Sequence, residues 1–449
     1  MNGKERVSAA LRHERTDRVP WVPFAGVHAG RLKGHTAETV LKDGDALYES
    51  LVAVNELYRP DGQPVVFDLQ VEAEILGCEL LWSENTPPSV VSHPLVSGVG
   101  LSDLRLPEAG DGRLPMVLDV MRRCARTLGA DTALYGLITG PFTLASHLRG
   151  TEVFMDMMLD PGRVEELMAF CETVSLRMAS LYIEAGMDVI AAVDPMVSQI
   201  GPDHFAQFCE APLRRLFEHV RSAGAFSSAF VCGNATRNIE GICRTGPDCL
   251  SIDENIDIVA AKQITDRHGI TIAGNIPLTT TMLLGSQMDN MKHVVDRLGE
   301  IDHHDYIMSP GCDMPYDTPP ENVIGIAEAL RDPEAARAML EGYTSDAFDI
   351  DVELPDYANL ARPLVEVFTL DSASCAACQY MLNAAERGVS SFEGEADMVE
   401  YKFTSRENIA RAVKMGVAKL PAIYINGELK FSSIIPGNDE LVAAIAQAG

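Results

Sequence analysis

DVIAAVDPMVSQIGPDHFAQFCEAPLRRLFEHVRSAGAFSSAFVCG, residues 188–233, reads as one complete β-α-β unit. DVIAAVDP from Asp188 is a short β-rich run that ends at a proline. Phe205 to Ser222 carries apolar residues at helical spacing, and SSAFVCG from Ser227 is a second β-rich run, ending at Cys232-Gly233. Two strands joined through a helix pair in parallel, because the chain must cross back before the second begins.

The same alternation extends in both directions, to about residue 340. Before it stand VPWVPF from Val19, VVFDL from Val65 and ALYGLITG from Ala133; after it come CLSIDE from Cys249, TIAGNIP from Thr271 and YIMSPGC from Tyr306. Helical patterns separate the runs, Met288 to Gly299 among them. Eight strands with interposed helices predict an α/β fold, a closed (β/α)8 TIM barrel over residues 1–342, with a doubly wound open sheet as the alternative. Asp68, Asp194, Cys232, Asp253, Asn275 and Cys312 each fall at or near the C-terminal end of a predicted strand, the face on which such barrels build their sites.

The chain has 449 residues, more than one ordinary domain needs, and its texture changes after the eighth run. Residues 343–362 are acidic and poorly periodic and are expected to link two domains. Residues 363–449 follow a β-α-β-α-β-β-α pattern: LVEVFTL, a helix from Ala376, DMVEYKF, a helix from Arg406, PAIYIN, ELKFSS and a helix from Asp439. Cys375-Ala-Ala-Cys378 follows the first of these strands and opens a helix, where the helix N-terminus favours a thiolate. Leu420-Pro421 precedes a later strand. The segment resembles small thioredoxin-like proteins with a single CxxC, which place a cis-proline beside the dithiol. That resemblance implies redox chemistry, with Cys375 attacking and Cys378 resolving. A degenerate adaptor and a zinc knuckle are the alternatives, although no second CxxC accompanies the first.

A net charge of −29 disfavours nucleic acid and anionic lipid as partners. The first residues, MNGKERVSAALRHERTDRVP, lack the apolar core of a secretory leader, and no run reaches the length of a membrane span. With ten cysteines scattered along a large chain, a cytoplasmic protein with free, metal-bound or redox thiols is expected.

Residues 1 to about 340 resemble the uroporphyrinogen decarboxylase superfamily, in its corrinoid-linked methyltransferase branch. DRVPWVPF, FDLQVEAEILGCEL, ITGPFTLASHLRG, EAGMDVIAAVDP, FVCGN, LSIDENIDI, AGNIP and SPGCDMPYDTPPENV carry the resemblance. The decarboxylases have an R-Q-A-G-R run where this chain has Val27-His28-Ala29-Gly30-Arg31, and a G-H pair where it has Gly311-Cys312. Asp68 matches the decarboxylase aspartate. The methyltransferase branch implies a zinc motif, His-x-Cys plus a distant Cys, that activates a thiol toward a methyl-cobalt corrinoid. Cys232 and Cys312 match its cysteines, and Phe230 stands at the histidine position. His28 or His147 would then be the replacement ligand, with Asp194 or Glu72 as oxygen donors. Asp68, Glu72, Asp194 and Asn275 are the other candidate pocket residues, each of which could equally cap a helix after its strand.

The expected activity is methyl transfer between a methyl-cobalt corrinoid and a thiol or folate-type acceptor. No D-x-H-x-x-G motif is present, so the corrinoid (cobalamin) would come from a partner protein or free solution. A decarboxylase-like lyase acting on a small acid, and a non-catalytic corrinoid-binding redox sensor, are the competing readings.

Overall fold

The computed structural model describes residues 1–345, 350–370, 372, 376–392 and 394–449. It separates into two compact units, residues 1–283 with 287–343, and residues 284–286 with 344–449. Among the described residues no helix is long and apolar enough to cross a membrane.

The first unit is built on seven parallel strands in sequential order: β1 (Gly62–Val66), β2 (Ala133–Thr139), β3 (Val189–Val193), β4 (Phe226–Val231), β5 (Cys249–Ile252), β6 (Thr271–Ile276) and β7 (Tyr306–Pro310). Side chains alternate across each strand. Tyr135, Leu137, Val189, Ala191, Val193, Phe230, Ala273 and Ile307 thereby gather with Phe24 and Phe67 in one core cluster. The intervening positions Leu134, Ile138, Ile190 and Ile272 are buried too, as expected of a parallel sheet covered by helices.

The first predicted strand, VPWVPF, is a correction. Segment 19–24 forms only a single parallel bridge, Trp21 to Met308. Pro20 and Pro23 have no N–H to donate, so a continuous ladder cannot form. The segment still spans the gap between the two edge strands. Val22 N donates to Met308 O (3.0 Å) and Met308 N to Pro20 O (2.9 Å), while Asp61 N and Gly62 N both donate to Trp21 O (2.8 and 3.2 Å).

Local chemistry explains the helix ends. Asp257 accepts from Val259 N and Ala260 N at the start of the helix Ile258–His268, and Gly269, at φ +63°, ends it in the left-handed conformation. The predicted helix from Phe205 is interrupted, with a π-turn at Phe205–Cys209 before the regular helix Glu210–Ser222.

In the second unit, four strands lie in the order β9 (Asp397–Lys402), β8 (Leu364–Thr369), β10 (Ala422–Ile425), β11 (Glu428–Ser432). β8 pairs parallel with β9 and antiparallel with β10, which pairs antiparallel with β11. Val365, Val367, Ile423 and Ile425 pack with Met381, Ala385, Leu441 and Ile445 of the helices Ala376–Ser390 and Asn438–Ala446. Phe368, Ala422 and Tyr424 pack with Ala412 of the helix Arg406–Met415. The Leu420–Pro421 peptide is cis. Within residues 350–362 the chain has no helix or strand, yet it is tied down: Lys414 Nζ donates to Val352 O (2.7 Å) and Tyr357 Oη to Glu366 Oε1 (3.0 Å).

Candidate functional site

Cys232 follows β4 directly, and Cys312 lies two residues beyond β7. Two strands, β5 and β6, separate them in the sheet, yet their Cα atoms are 5.9 Å apart and their sulfurs are joined as a disulfide. Gly311 makes the approach possible. Its N–H donates to Ile276 O (3.1 Å) at the end of β6, and a Cβ at this position would lie 2.6 Å from Glu254 N. Only a residue without a side chain brings the post-β7 segment this close to the loop after β5.

Buried or half-buried carboxylates fix the backbone around the two cysteines. Asp253 accepts from Gly233 N (2.7 Å) and Asn255 N (2.8 Å). Asp313 accepts from Gly26 N (2.8 Å), and burial pushes its carboxyl up to about 8. Glu254 accepts from Leu278 N; burial, then the neighbouring Asp253 carboxylate, pushes it up to about 8. Asn275 Nδ2 donates to Asp253 O (2.9 Å) and Ile256 O (2.8 Å), stitching down the loop after β5.

The other expected pocket residues act mainly as clamps. Asp194, directly after β3, accepts from Phe142 N (3.1 Å), Thr143 N (2.8 Å) and Thr143 Oγ1 (2.6 Å), so it anchors the N-terminus of the helix Pro141–Arg149. Burial raises its carboxyl to about 6. A Cβ on Gly140 would strike Asp194, so this arrangement needs the glycine. Glu72 accepts from Thr139 N and Thr139 Oγ1 (both 2.9 Å), and burial raises its carboxyl. Asp68 accepts from Gln70 N (2.9 Å) and from Arg113 Nη1 (2.6 Å), which engages both its oxygens. Arg113 also holds Glu74 (2.7 Å) and lies over the Trp82 ring.

The expected histidines do not join the cysteines. His28 Nδ1 faces Tyr316 O (3.0 Å), so that nitrogen carries the proton; Nε2 then accepts from Tyr58 Oη (2.7 Å). Neither ring nitrogen has a lone pair left for a metal. His147 is buried in the helix Pro141–Arg149, and burial lowers its pKa to about 4. Among the described residues no three His, Cys, Asp or Glu side chains group as a metal-ligand set. Phe230 is fully buried, its ring 4.8 Å from Phe24 and 5.7 Å from Phe67, so an aromatic cluster fills the place of the missing imidazole. The described residues therefore do not fit the three-ligand zinc site.

In the second unit Cys378 is buried, its sulfur 3.4 Å from Leu370 N. Cys375 lies outside the described residues.

Arg113, Asp313 and Glu254 were not singled out from sequence. Asp313 and Glu254 adjoin Cys312 and Asp253, a signal that could have found them. Arg113 sits in a polar stretch 45 residues from Asp68, with no local mark of its role.

The uroporphyrinogen decarboxylase (URO-D) family model matches residues 2–333. The methylcobamide:CoM methyltransferase MtbA of Methanosarcina acetivorans is 26% identical over 339 residues, covering 73% of this chain and 97% of that protein. The methylcobamide:CoM methyltransferase MtaA of Methanosarcina barkeri is 27% identical over 337 residues, covering 73% and 96%. A uroporphyrinogen decarboxylase of Acidiphilium cryptum is 25% identical over 273 residues, covering 59% and 74%. Among solved structures, a methyltransferase from Methanosarcina mazei superposes with a TM-score of 0.68 at 25% identity, covering 76% of this chain and 99% of that one. A family match over most of the chain, together with a parallel sheet whose edges meet through segment 19–24, identifies this chain as a member of the uroporphyrinogen decarboxylase family.

Proposed function

We propose that this chain moves a methyl group between a methyl-cobalt corrinoid, free or carried by a partner protein, and a thiol. One observation carries the reading: similarity to methylcobamide:CoM methyltransferases extends along 96–97% of their length. In such a transfer an S–C bond forms as the Co–C bond breaks, the electron pair stays on cobalt, and the thiol gives up its proton. The site proposed for it is the C-terminal mouth, with Cys232 and Cys312 at its centre and Asp253, Asn275 and Asp313 holding their loops. His28, Asp68, Glu72, His147 and Asp194 form the supporting wall.

The engagement of both Asp68 oxygens argues against a decarboxylase-like lyase, as does Arg31, which pairs with Asp317 (3.3 Å) at the surface. Among the described residues no third ligand joins Cys232 and Cys312, which favours, as a second reading, a folate-type acceptor that needs no metal-activated thiol.

The second unit we read as thioredoxin-like, with Cys375 as attacking and Cys378 as resolving thiol. Its sheet order and the helix opening at Ala376 support that reading.

The test is anaerobic incubation of the full chain with methylcobalamin and either coenzyme M or tetrahydrofolate, followed by absorbance and by mass analysis of the acceptor. Protein-dependent demethylation with coenzyme M is expected. Turnover only with tetrahydrofolate selects the second reading, and no demethylation in either arm refutes both.

A further inference from the structure

We infer that Cys232 and Cys312 form a reversible dithiol–disulfide couple at the mouth of the barrel, a redox site distinct from the CxxC of the second unit.

Three observations carry it. The two Cα atoms are 5.9 Å apart, within the separation that a disulfide spans without backbone movement. Both cysteines are held there by their neighbours. Gly233 N is bound to Asp253, Asp313 is bound to Gly26 N, and Met314 N donates to Phe24 O (2.8 Å). The backbone is therefore fixed whether or not the sulfurs are joined. Finally, the alternative use of two converging thiols, as ligands of one metal, lacks its third member among the described residues. Phe230 is locked among Phe24 and Phe67, and both ring nitrogens of His28 are engaged. Both cysteines pack against the barrel core yet remain only half-buried, so a small reagent can reach them. By contrast, Cys78, Cys124, Cys171, Cys209, Cys243 and Cys249 are all buried. Burial alone pushes the Cys78 thiol up to about 12, leaving it unreactive.

The step is thiol–disulfide exchange with a dithiol/disulfide partner. One cysteine thiolate attacks a sulfur of the partner disulfide and expels a thiolate, giving a mixed disulfide. The second cysteine attacks the first, forms the Cys232–Cys312 bond and expels the second thiolate. Two electrons pass to the partner, and the two cysteine protons end on its sulfurs; reduction runs in reverse.

The experiment equilibrates the full-length protein anaerobically in mixtures of reduced and oxidised dithiothreitol. Samples are acid-quenched, alkylated, digested and mapped, and zinc is quantified on the same samples. The Cys232–Cys312 cross-link is expected to rise from about one tenth to about nine tenths of chains over about a hundredfold change in the oxidised-to-reduced ratio. The buried free cysteines, alkylated at every ratio after the quench, serve as references that never cross-link. In Cys312→Ser the cross-link is expected to vanish; if that variant fails to fold, the wild-type titration decides alone. Two outcomes overturn the inference. One is alkylation of both cysteines at every ratio with no cross-link. The other is one zinc per chain that shields both thiols and is released only when they are modified. No readout involves methyl transfer, so failure here is distinct from failure of the proposed function.

Discussion

The molecule carries two cysteine pairs that come together in opposite ways. Cys375 and Cys378 are neighbours in sequence, and chain connectivity alone keeps them within reach. Cys232 and Cys312 are separated by 80 residues and meet only because β4 and β7 end on the same face and Gly311 lets the last segment cross the end of β6. A local pair survives changes elsewhere in the protein, whereas a tertiary pair is only as stable as the scaffold that positions it.

The sharpest way to break this contrast is to damage the barrel scaffold without touching either cysteine. Arg113 is the cationic partner of the fully buried Asp68 side chain. Arg113→Ala leaves that carboxylate uncompensated and should cost about 3–5 kcal/mol. Urea unfolding followed by cross-link mapping should show the Cys232–Cys312 bond lost at lower denaturant than in wild type. An unchanged midpoint would mean that the pair does not depend on this part of the scaffold.

A smaller loss, about 3 kcal/mol, is expected for Phe230→His, which removes an aromatic ring from the cluster with Phe24 and Phe67. The same change offers an imidazole two residues before Cys232. Elemental analysis should therefore find more zinc in the variant than in wild type, turning a redox pair into a ligand set. Equal zinc content in the two proteins would remove Phe230 as the reason for the missing metal site.

In the second unit Gly388 packs against Leu441, where an added Cβ would lie 2.6 Å from Leu441 Cδ2. Gly388→Ala should overpack the junction of the helices Ala376–Ser390 and Asn438–Ala446, at a cost of about 1–3 kcal/mol. Limited proteolysis should release fragments from residues 363–449 sooner while the barrel cross-link titrates as before. A parallel loss of the cross-link would refute independent folding of the two units.

The smallest effect is a pH slope confined to the barrel. Asp194 is raised to about 6 in the folded state, above the ordinary carboxylate value of roughly 4 in the unfolded chain. Between those values the folded protein holds the extra proton. Stability from this group is thus fully present below pH ~4 and is lost as pH rises through about 6, with a slope of at most about 1.4 kcal/mol per pH unit. Thermal melts from pH 4 to 7 should show the decline, and Asp194→Asn should make it shallower between about pH 4 and 6 while the slope from Asp313 and Glu254, whose carboxyls burial also raises, remains. An identical slope in the variant would assign the dependence to other carboxyls.

Secondary structure and domain texture were largely legible in the sequence because they rest on local pattern. The runs at Ala133, Asp188, Ser227, Cys249, Thr271 and Tyr306 all became strands, and the helix openings at Ala376 and Arg406 fall where they were expected. The strand at Val19 failed for an equally local reason, the two prolines, although Pro20 O and Trp21 O still tie the segment to the two sheet edges. Side-chain roles were less legible. Asp194 and Glu72 stand at the strand ends that sequence marked, but spacing cannot tell a carboxylate free in a pocket from one clamped to backbone N–H groups. Sequence by itself determined the alternation of strands and helices, the CxxC at a helix start and the two cysteines at strand ends. Only the tertiary structure decided that those two sulfurs touch, that Arg113 neutralises Asp68 and that Phe230 closes the third-ligand position. Each of these depends on contacts between residues distant along the chain, which local periodicity does not encode.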